Sequence, residues 1–285
     1  MVYESVVIIG APRSGTNMLR DMLVELPGVG TWPCDEINYI WRHGNLRHPS
    51  DDFTPEMATP KVQAYIRDRF DQLANARNLD TVIEKTCANS LRVDFVDKIL
   101  PEAKYVFIVR DGMDVVGSAL QRWTASLDIP YILQKARYVP LTDLPYYALR
   151  YLFHRMYRLI SREKRLALWG PAMDNIDDLL ERYTLTEVCA LQWAACVDQA
   201  EHDFTRISPE KIIKIKYEEF VRNPVVEFAR LAEFLNKDVP NTVNEYLRKN
   251  VRPNSVGKGR KVIGEAGVEK LRPLITSTLG RYDYK

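Results

Sequence analysis

The chain has 285 residues, 46% of them hydrophobic and 27% charged, with a formal net charge of +2. This is the composition of a folded protein with a sizeable core, and it excludes a disordered chain. So small a basic excess, with no basic run, speaks against a nucleic-acid partner, and any anion site must be local. Cys34, Cys87, Cys189 and Cys196 form no CxxC pair and no Cys/His cluster at ligand spacing, so reduced thiols and no metal site are expected.

Met1 to Ser5 lead straight into the apolar run Val6 to Ile9. That run is too short for a signal-peptide core or a membrane span, so a cytoplasmic setting without a transmembrane segment is expected. The β-branched run is a first strand, ending at Gly10. After a glycine turn, Thr16 to Leu26 carries apolar residues at helical spacing. Further strands are expected at Thr81 to Glu84, Tyr105 to Val109 and Lys211 to Ile215. Helices are expected at Val62 to Leu73, Ser90 to Leu100, Asp114 to Trp123, Val225 to Leu235 and Asn241 to Lys249.

Length leaves one or two domains open, but the alternating order favours a single α/β domain over 1–285 with a mostly parallel sheet. From Thr124 to Thr205 the chain turns Tyr- and Arg-rich, with helical stretches at Tyr146 to Leu168 and Thr186 to Ala200. We read 124–205 as a helical insertion that binds an acceptor. Val251 to Gly264 reads as a flexible basic glycine loop, followed by a last helix near Ala266 to Leu279.

The turn Gly10-Ala-Pro-Arg-Ser-Gly15-Thr16-Asn17 has glycines at P-loop spacing, so backbone N–H groups and a helix N-terminus should cradle an anion. A nucleoside-triphosphatase loop needs Lys and then Ser or Thr after the second glycine; here those places hold Thr16 and Asn17. Arg13 inside the loop offers planar donors that bind phosphate or sulfate without a metal. A second junction, Arg110-Asp-Gly-Met-Asp-Val-Val-Gly-Ser118, follows the Tyr105 to Val109 strand, with Ser118 and Arg122 on one helix face. Alone, Arg110 could equally pair with Asp111 or Asp114.

Together these motifs resemble the 3′-phosphoadenosine 5′-phosphosulfate (PAPS)-dependent sulfotransferases, nearest to the protein-tyrosine and carbohydrate branches, whose loop also reads Pro-Arg-Ser-Gly-Thr. The resemblance implies a P-loop-like three-layer fold around the parallel sheet. It also implies that Arg13, Ser14, Gly15, Thr16 and Asn17 hold the 5′-phosphosulfate, although Asn17 departs from the usual Thr or Ser. Arg110 and Ser118 match the 3′-phosphate element, and Arg122 a further basic position of the protein-tyrosine branch. The product would be adenosine 3′,5′-bisphosphate, and no metal is required.

Sulfuryl transfer needs a base, cations for the sulfuryl oxygens and stabilisation of the departing phosphate. Glu36 falls where these branches place a glutamate base, and its neighbours Trp32, Ile37 and Trp41 could raise its pKa by desolvation. Asp35, His43 and His48 are its rivals. Lys85 resembles the lysine that contacts the sulfuryl or bridging oxygen, and Arg13 shares that charge. Tyr217 resembles a tyrosine beside the nucleotide; Ser255, Lys258 and Arg260 resemble the closing segment in character only. The expected acceptor is a hydroxyl, preferably of a saccharide, with Trp32 and Trp41 as candidate stacking platforms. A lipid or small alcohol is the next reading. Other classes are a P-loop nucleotide kinase and a non-catalytic nucleotide-binding protein.

Overall fold

The computed structural model describes residues 3–123, 137–149, 152 and 168–284. Strands β1 (Glu4–Ile9), β2 (Val29–Thr31), β3 (Thr81–Lys85), β4 (Lys104–Val109) and β5 (Ile212–Lys216) form one sheet in the order β2-β3-β1-β4-β5. Every pairing is parallel. That explains why β1 and β4 read as unbroken apolar runs: strands covered on both faces alternate between two cores rather than between core and water. Val6 and Ile8 face one core, Val7 and Ile9 the other.

Helix α1 (Thr16–Leu23), with α8 (Tyr217–Arg222), α9 (Pro224–Phe234) and α10 (Asn241–Asn250), covers the Val6 face. Helices α3 (Pro60–Arg77), α4 (Val93–Ile99), α5 (Gly112–Trp123), α7 (Leu185–Phe204) and α12 (Glu265–Arg281) cover the other. Short α2 (Asn38–Trp41) and α6 (Ile176–Arg182) pack on the same side. Local signals set the ends. Thr59 caps α3 ahead of Pro60, Asn78 closes it in the left-handed region (φ 51°), and Thr184 with Glu187 forms a capping box on α7.

Two expectations change. The run Val251 to Gly264 is not a free loop: α11 (Lys258–Ile263) lies within it, flanked by Gly257 and Gly264 at φ +76° and +74°. It is held against α5, whose Asp114 accepts the backbone N–H groups of Gly257 (2.7 Å) and Gly259 (2.8 Å). Helix α7, inside the stretch read as insertion, packs in the core, with Trp193 tight against Gly112. Of the expected Tyr146 to Leu168 helix, 146–149 is helical and most of the remainder lies outside the described residues.

The α5–α11 contact is backbone on backbone: a methyl on Gly117 would stand 2.5 Å from the Gly259 Cα. Since neither backbone can yield cheaply, Gly117→Ala should cost about 1–3 kcal/mol. The check is a lowered denaturation midpoint together with weakened bisphosphate binding; an unchanged midpoint would mean that the two glycines do not meet.

Candidate active site

All five strand C-termini contribute to one edge of the sheet, where open α/β folds bind ligands. β1 gives the loop 10–17, β2 leads to Glu36, β3 ends on Lys85, β4 on Arg110 and β5 on Tyr217. The register sets Ile8 beside Lys85 and Ile9 beside Phe107, so the loop after β1 lies between the other contributors.

The loop turns through positive φ at Arg13 (71°) and Gly15 (95°), the latter just before the first helical residue. Gly15 has no room for a side chain, because a Cβ would stand 2.5 Å from the Tyr217 ring. Tyr217 thus packs on the loop, the Arg110 guanidinium lies over the ring at 4.4 Å, and the Tyr217 and Ser255 hydroxyls hydrogen-bond to each other. Asn17 sits half-buried in the first turn of α1.

The two anion elements meet. Arg13 Nε donates to Ser118 Oγ at 2.9 Å across 105 positions, and Arg110 Nη1 donates to the Arg13 carbonyl at 3.1 Å. Arg110 Nη2 donates to the Ser255 carbonyl at 2.7 Å and lies 3.7 Å from Asp114, so the pairing with Asp114 exists but is the loosest of its polar contacts. Although Arg13 as a whole is exposed, partial burial of its guanidinium, then repulsion from Arg122 and Arg110, lowers its pKa. Three guanidiniums therefore share one field that favours an anion.

Buried donors test whether such a group fits. Ser14 Oγ and the Nε of Arg110 are buried without a hydrogen-bond partner among the described residues. Such orphans are costly unless a ligand or water meets them, and both are of the kind a phosphate or sulfate oxygen satisfies. Residues 13–16, Arg110 and Ser118 thus fit a nucleotide with anionic groups. From the tail, Arg260 donates Nε and Nη2 to Asp111 Oδ2 (3.0 and 2.8 Å), just ahead of α5, while Lys258 and Arg122 are exposed.

On the other side of the loop, Lys85 Nζ contacts Glu36 Oε1 at 3.1 Å and Asp35 Oδ1 at 3.4 Å; the Lys85 side chain is 1% exposed. Burial works against its charge, but Glu36 and Asp35 outweigh it and raise its pKa. The Cys87 N–H also donates to Glu36 Oε1 at 3.3 Å, and the Cys87 thiol lies 3.7 Å from Thr16 Oγ1. Glu36, Lys85 and the loop are therefore neighbours. Asp35 is held by Arg20 at 2.8 Å.

The rivals are drawn elsewhere. His43 Nδ1 pairs with Asp143 at 2.8 Å and stacks on Tyr65, and His48 bonds within its own turn to Ser50. Trp32 and Trp41 are 5% and 0% exposed and pack on Phe70 in the core, so neither offers a face to an acceptor. Sequence reasoning weighed Asp114 and Asp111 only as partners of Arg110 and missed their contacts with the tail, more than 140 positions downstream. Asp114 stands two residues into α5, a place where any helix favours an acid, so its sequence carried no sign of the tail.

Among the described residues no helix is long and apolar enough to cross a membrane, and no group of His, Cys, Asp and Glu is arranged to hold a metal ion. No curated protein matches the chain by sequence. The fold is similar to the sulfotransferase domain from the curacin biosynthetic pathway, at a TM-score of 0.57 and 14% identity, over 100% of this chain and 99% of that one. It is similar to sulfotransferase STF9 from Mycobacterium avium (TM-score 0.53, 13% identity, 100% and 78% covered). It also resembles the sulfotransferase domain from the Synechococcus PCC 7002 olefin synthase (0.52, 17%, 96% and 95%). At these identities the likeness speaks for the fold. The sequence itself matches the model of the sulfotransferase family over residues 5–167 and 152–241, most of the chain. The kinase reading, already short of its lysine and magnesium hydroxyl, gives way to that match. The chain belongs to the sulfotransferase family, the PAPS-dependent enzymes of sulfuryl transfer.

Proposed function

We propose that this single-domain enzyme moves the sulfuryl group of PAPS onto an acceptor hydroxyl by in-line displacement, with Glu36 as general base. The observation that carries the reading is the contact of the two anion elements, Arg13 with Ser118 and Arg110 with the Arg13 carbonyl, next to the Glu36–Lys85 pair. One cleft then grips a nucleotide at both phosphates and keeps a carboxylate at its reactive end.

When bound, PAPS supplies a sulfuryl group whose bond to the 5′-phosphate oxygen breaks as the acceptor oxygen bonds to sulfur. The residues of this chain hold, orient and move the proton. Backbone N–H groups of the loop with Ser14 and Thr16 bind the 5′ end; Arg110, Ser118 and Arg122 bind the 3′-phosphate. Tyr217 and Ser255 wall the nucleotide, and Lys258 and Arg260 add charge from α11. Arg13 and Lys85 neutralise oxygens on the reacting group, so the charge shift needs no metal ion. Glu36 takes the acceptor proton, and as Lys85 turns toward the departing charge, Glu36 is released from its ion pair and becomes a better base.

The acceptor carries a hydroxyl, and 124–205, of which 124–136, 150–151 and 153–167 lie outside the described residues, is its expected seat. Likeness to the carbohydrate branch speaks for a saccharide. Burial of Trp32 and Trp41 removes the two stacking platforms expected for a sugar, which favours the second reading, a lipid or small alcohol. The test has two steps. Adenosine 3′,5′-bisphosphate should raise the melting temperature where ATP with magnesium does not; the reverse order would defeat the nucleotide assignment. Labelled sulfate from PAPS is then offered to glycans, lipids and phenols, and transfer to glycans alone would overturn the second reading.

A further inference from the structure

The Glu36 loop is not held by the nucleotide framework alone. Its Ile37 N–H donates to Thr86 Oγ1 at 3.2 Å, next to Lys85. One residue on, Asn38 Nδ2 donates to Asp51 Oδ1 at 3.3 Å and Asn38 Oδ1 accepts Arg92 Nη2 at 2.5 Å. Asp51 is the junction of this network. Its Oδ1 accepts Arg42 at 2.8 Å and Arg92 at 3.4 Å; its Oδ2 accepts the Ala172 N–H at 2.9 Å, and its own N–H donates to the Ala172 carbonyl at 2.6 Å. Both guanidiniums also lie over the Phe53 ring, Arg92 at 4.8 Å and Arg42 at 5.2 Å from its centroid. Burial alone would raise the Asp51 pKa, but Arg92 and Arg42 outweigh it, so the carboxylate stays charged.

We propose that Asp51 is a positioning residue for sulfuryl transfer: its buried carboxylate fastens the loop carrying Glu36 to the segment 169–174 that leads into α6 and α7. The proposal rests on the reading of Glu36 as base. Two further ties from the same stretch, His43 to Asp143 and Tyr39 to Tyr147, reach residues of 137–149. The base is thereby built into the acceptor side of the cleft, whereas the nucleotide pocket depends on β1, β4 and the tail. Loss of Asp51 should therefore disturb the base and leave nucleotide binding intact.

The experiment compares Asp51→Asn with Asp52→Asn, whose carboxylate accepts the Asp174 N–H at 2.9 Å but none of the arginine bonds just named. Cys34 reports on the loop, because its thiol lies 3.9 Å from the Glu36 carbonyl while Cys87, Cys189 and Cys196 are buried. In Asp51→Asn, maleimide labelling of Cys34, assigned by peptide mass, should rise at least about tenfold as the loop loosens. Affinity for adenosine 3′,5′-bisphosphate should stay within about threefold, and kcat rather than the KM for PAPS should fall. If two unbalanced guanidiniums prevent folding, Asn38→Ala removes the link without stripping a charge and should give the same pattern. Labelling within twofold of the parent, an equal effect of Asp52→Asn, or bisphosphate affinity falling in step with labelling would each overturn the proposal. The labelling needs neither nucleotide nor acceptor, so it separates this idea from a failure of the base assignment.

Discussion

Glu36→Gln should lower sulfuryl transfer by about 10²- to 10⁴-fold, the usual contribution of a general base, while binding adenosine 3′,5′-bisphosphate no more weakly than the parent. Glutamine keeps the shape, and its carbonyl oxygen can still accept from Lys85 and the Cys87 N–H, which now meet Glu36 Oε1 at 3.1 and 3.3 Å. What it loses is basicity. Removing a negative charge beside Lys85 makes the cleft more positive and favours an anionic nucleotide, so any affinity change should be a gain. Asp35→Asn is the comparison: its carboxylate is engaged by Arg20 at 2.8 Å, and turnover should fall less than about tenfold. Calorimetry with the bisphosphate and initial rates with labelled PAPS give both numbers. Turnover of Glu36→Gln equal to the parent's would remove Glu36 as base and return Asp35 to first place.

The fold was legible where a short stretch contains its own reason. Val6 to Ile9 and Tyr105 to Val109 are apolar on both faces, and their shortness and β-branched content mark them as strands covered on both faces. β2 was missed because Val29-Gly30-Thr31 has three residues and a glycine, too little for any periodicity. Gly30 is placed there by packing, since a Cβ would collide with Leu79 at 2.7 Å. The tail was misread for a similar reason. Three glycines in eight residues look like a loop, yet Gly257 and Gly264 flank α11 and Gly259 is bare because Asp114 backbone lies 2.3 Å from where its Cβ would be.

The site divides along the same line. Residues 10–17 announce an anion cradle because a glycine turn before a helix has that physics wherever it occurs. The partnerships that make it one site, Arg13 with Ser118, Lys85 with Glu36 and Arg260 with Asp111, join segments 105, 49 and 149 positions apart and leave no local mark. Burial misled the acceptor reading in the same way. Trp32 and Trp41 are close to Glu36 in sequence, but a strand end and a four-residue helix turn both inward onto Phe70.

Arg110→Lys should weaken adenosine 3′,5′-bisphosphate binding by about 10- to 100-fold, although the charge is kept. The guanidinium now performs three tasks with one rigid plane: it donates to the Arg13 carbonyl at 3.1 Å, to the Ser255 carbonyl at 2.7 Å, and lies over Tyr217 at 4.4 Å. An ammonium is a point donor that cannot span both carbonyls and stack as well. Losing one or two charge-assisted bonds costs about 1.5–3 kcal/mol, and each 1.4 kcal/mol is tenfold in affinity. The loss falls on binding because those carbonyls belong to the anion loop and the tail, the two walls of the nucleotide cleft. Arg122→Lys, at an exposed position, should change affinity by less than about threefold. Calorimetry at fixed ionic strength decides between them: equal losses would reduce Arg110 to one charge among several, and parent-like binding by Arg110→Lys would make it a packing residue and separate the two halves of the cleft.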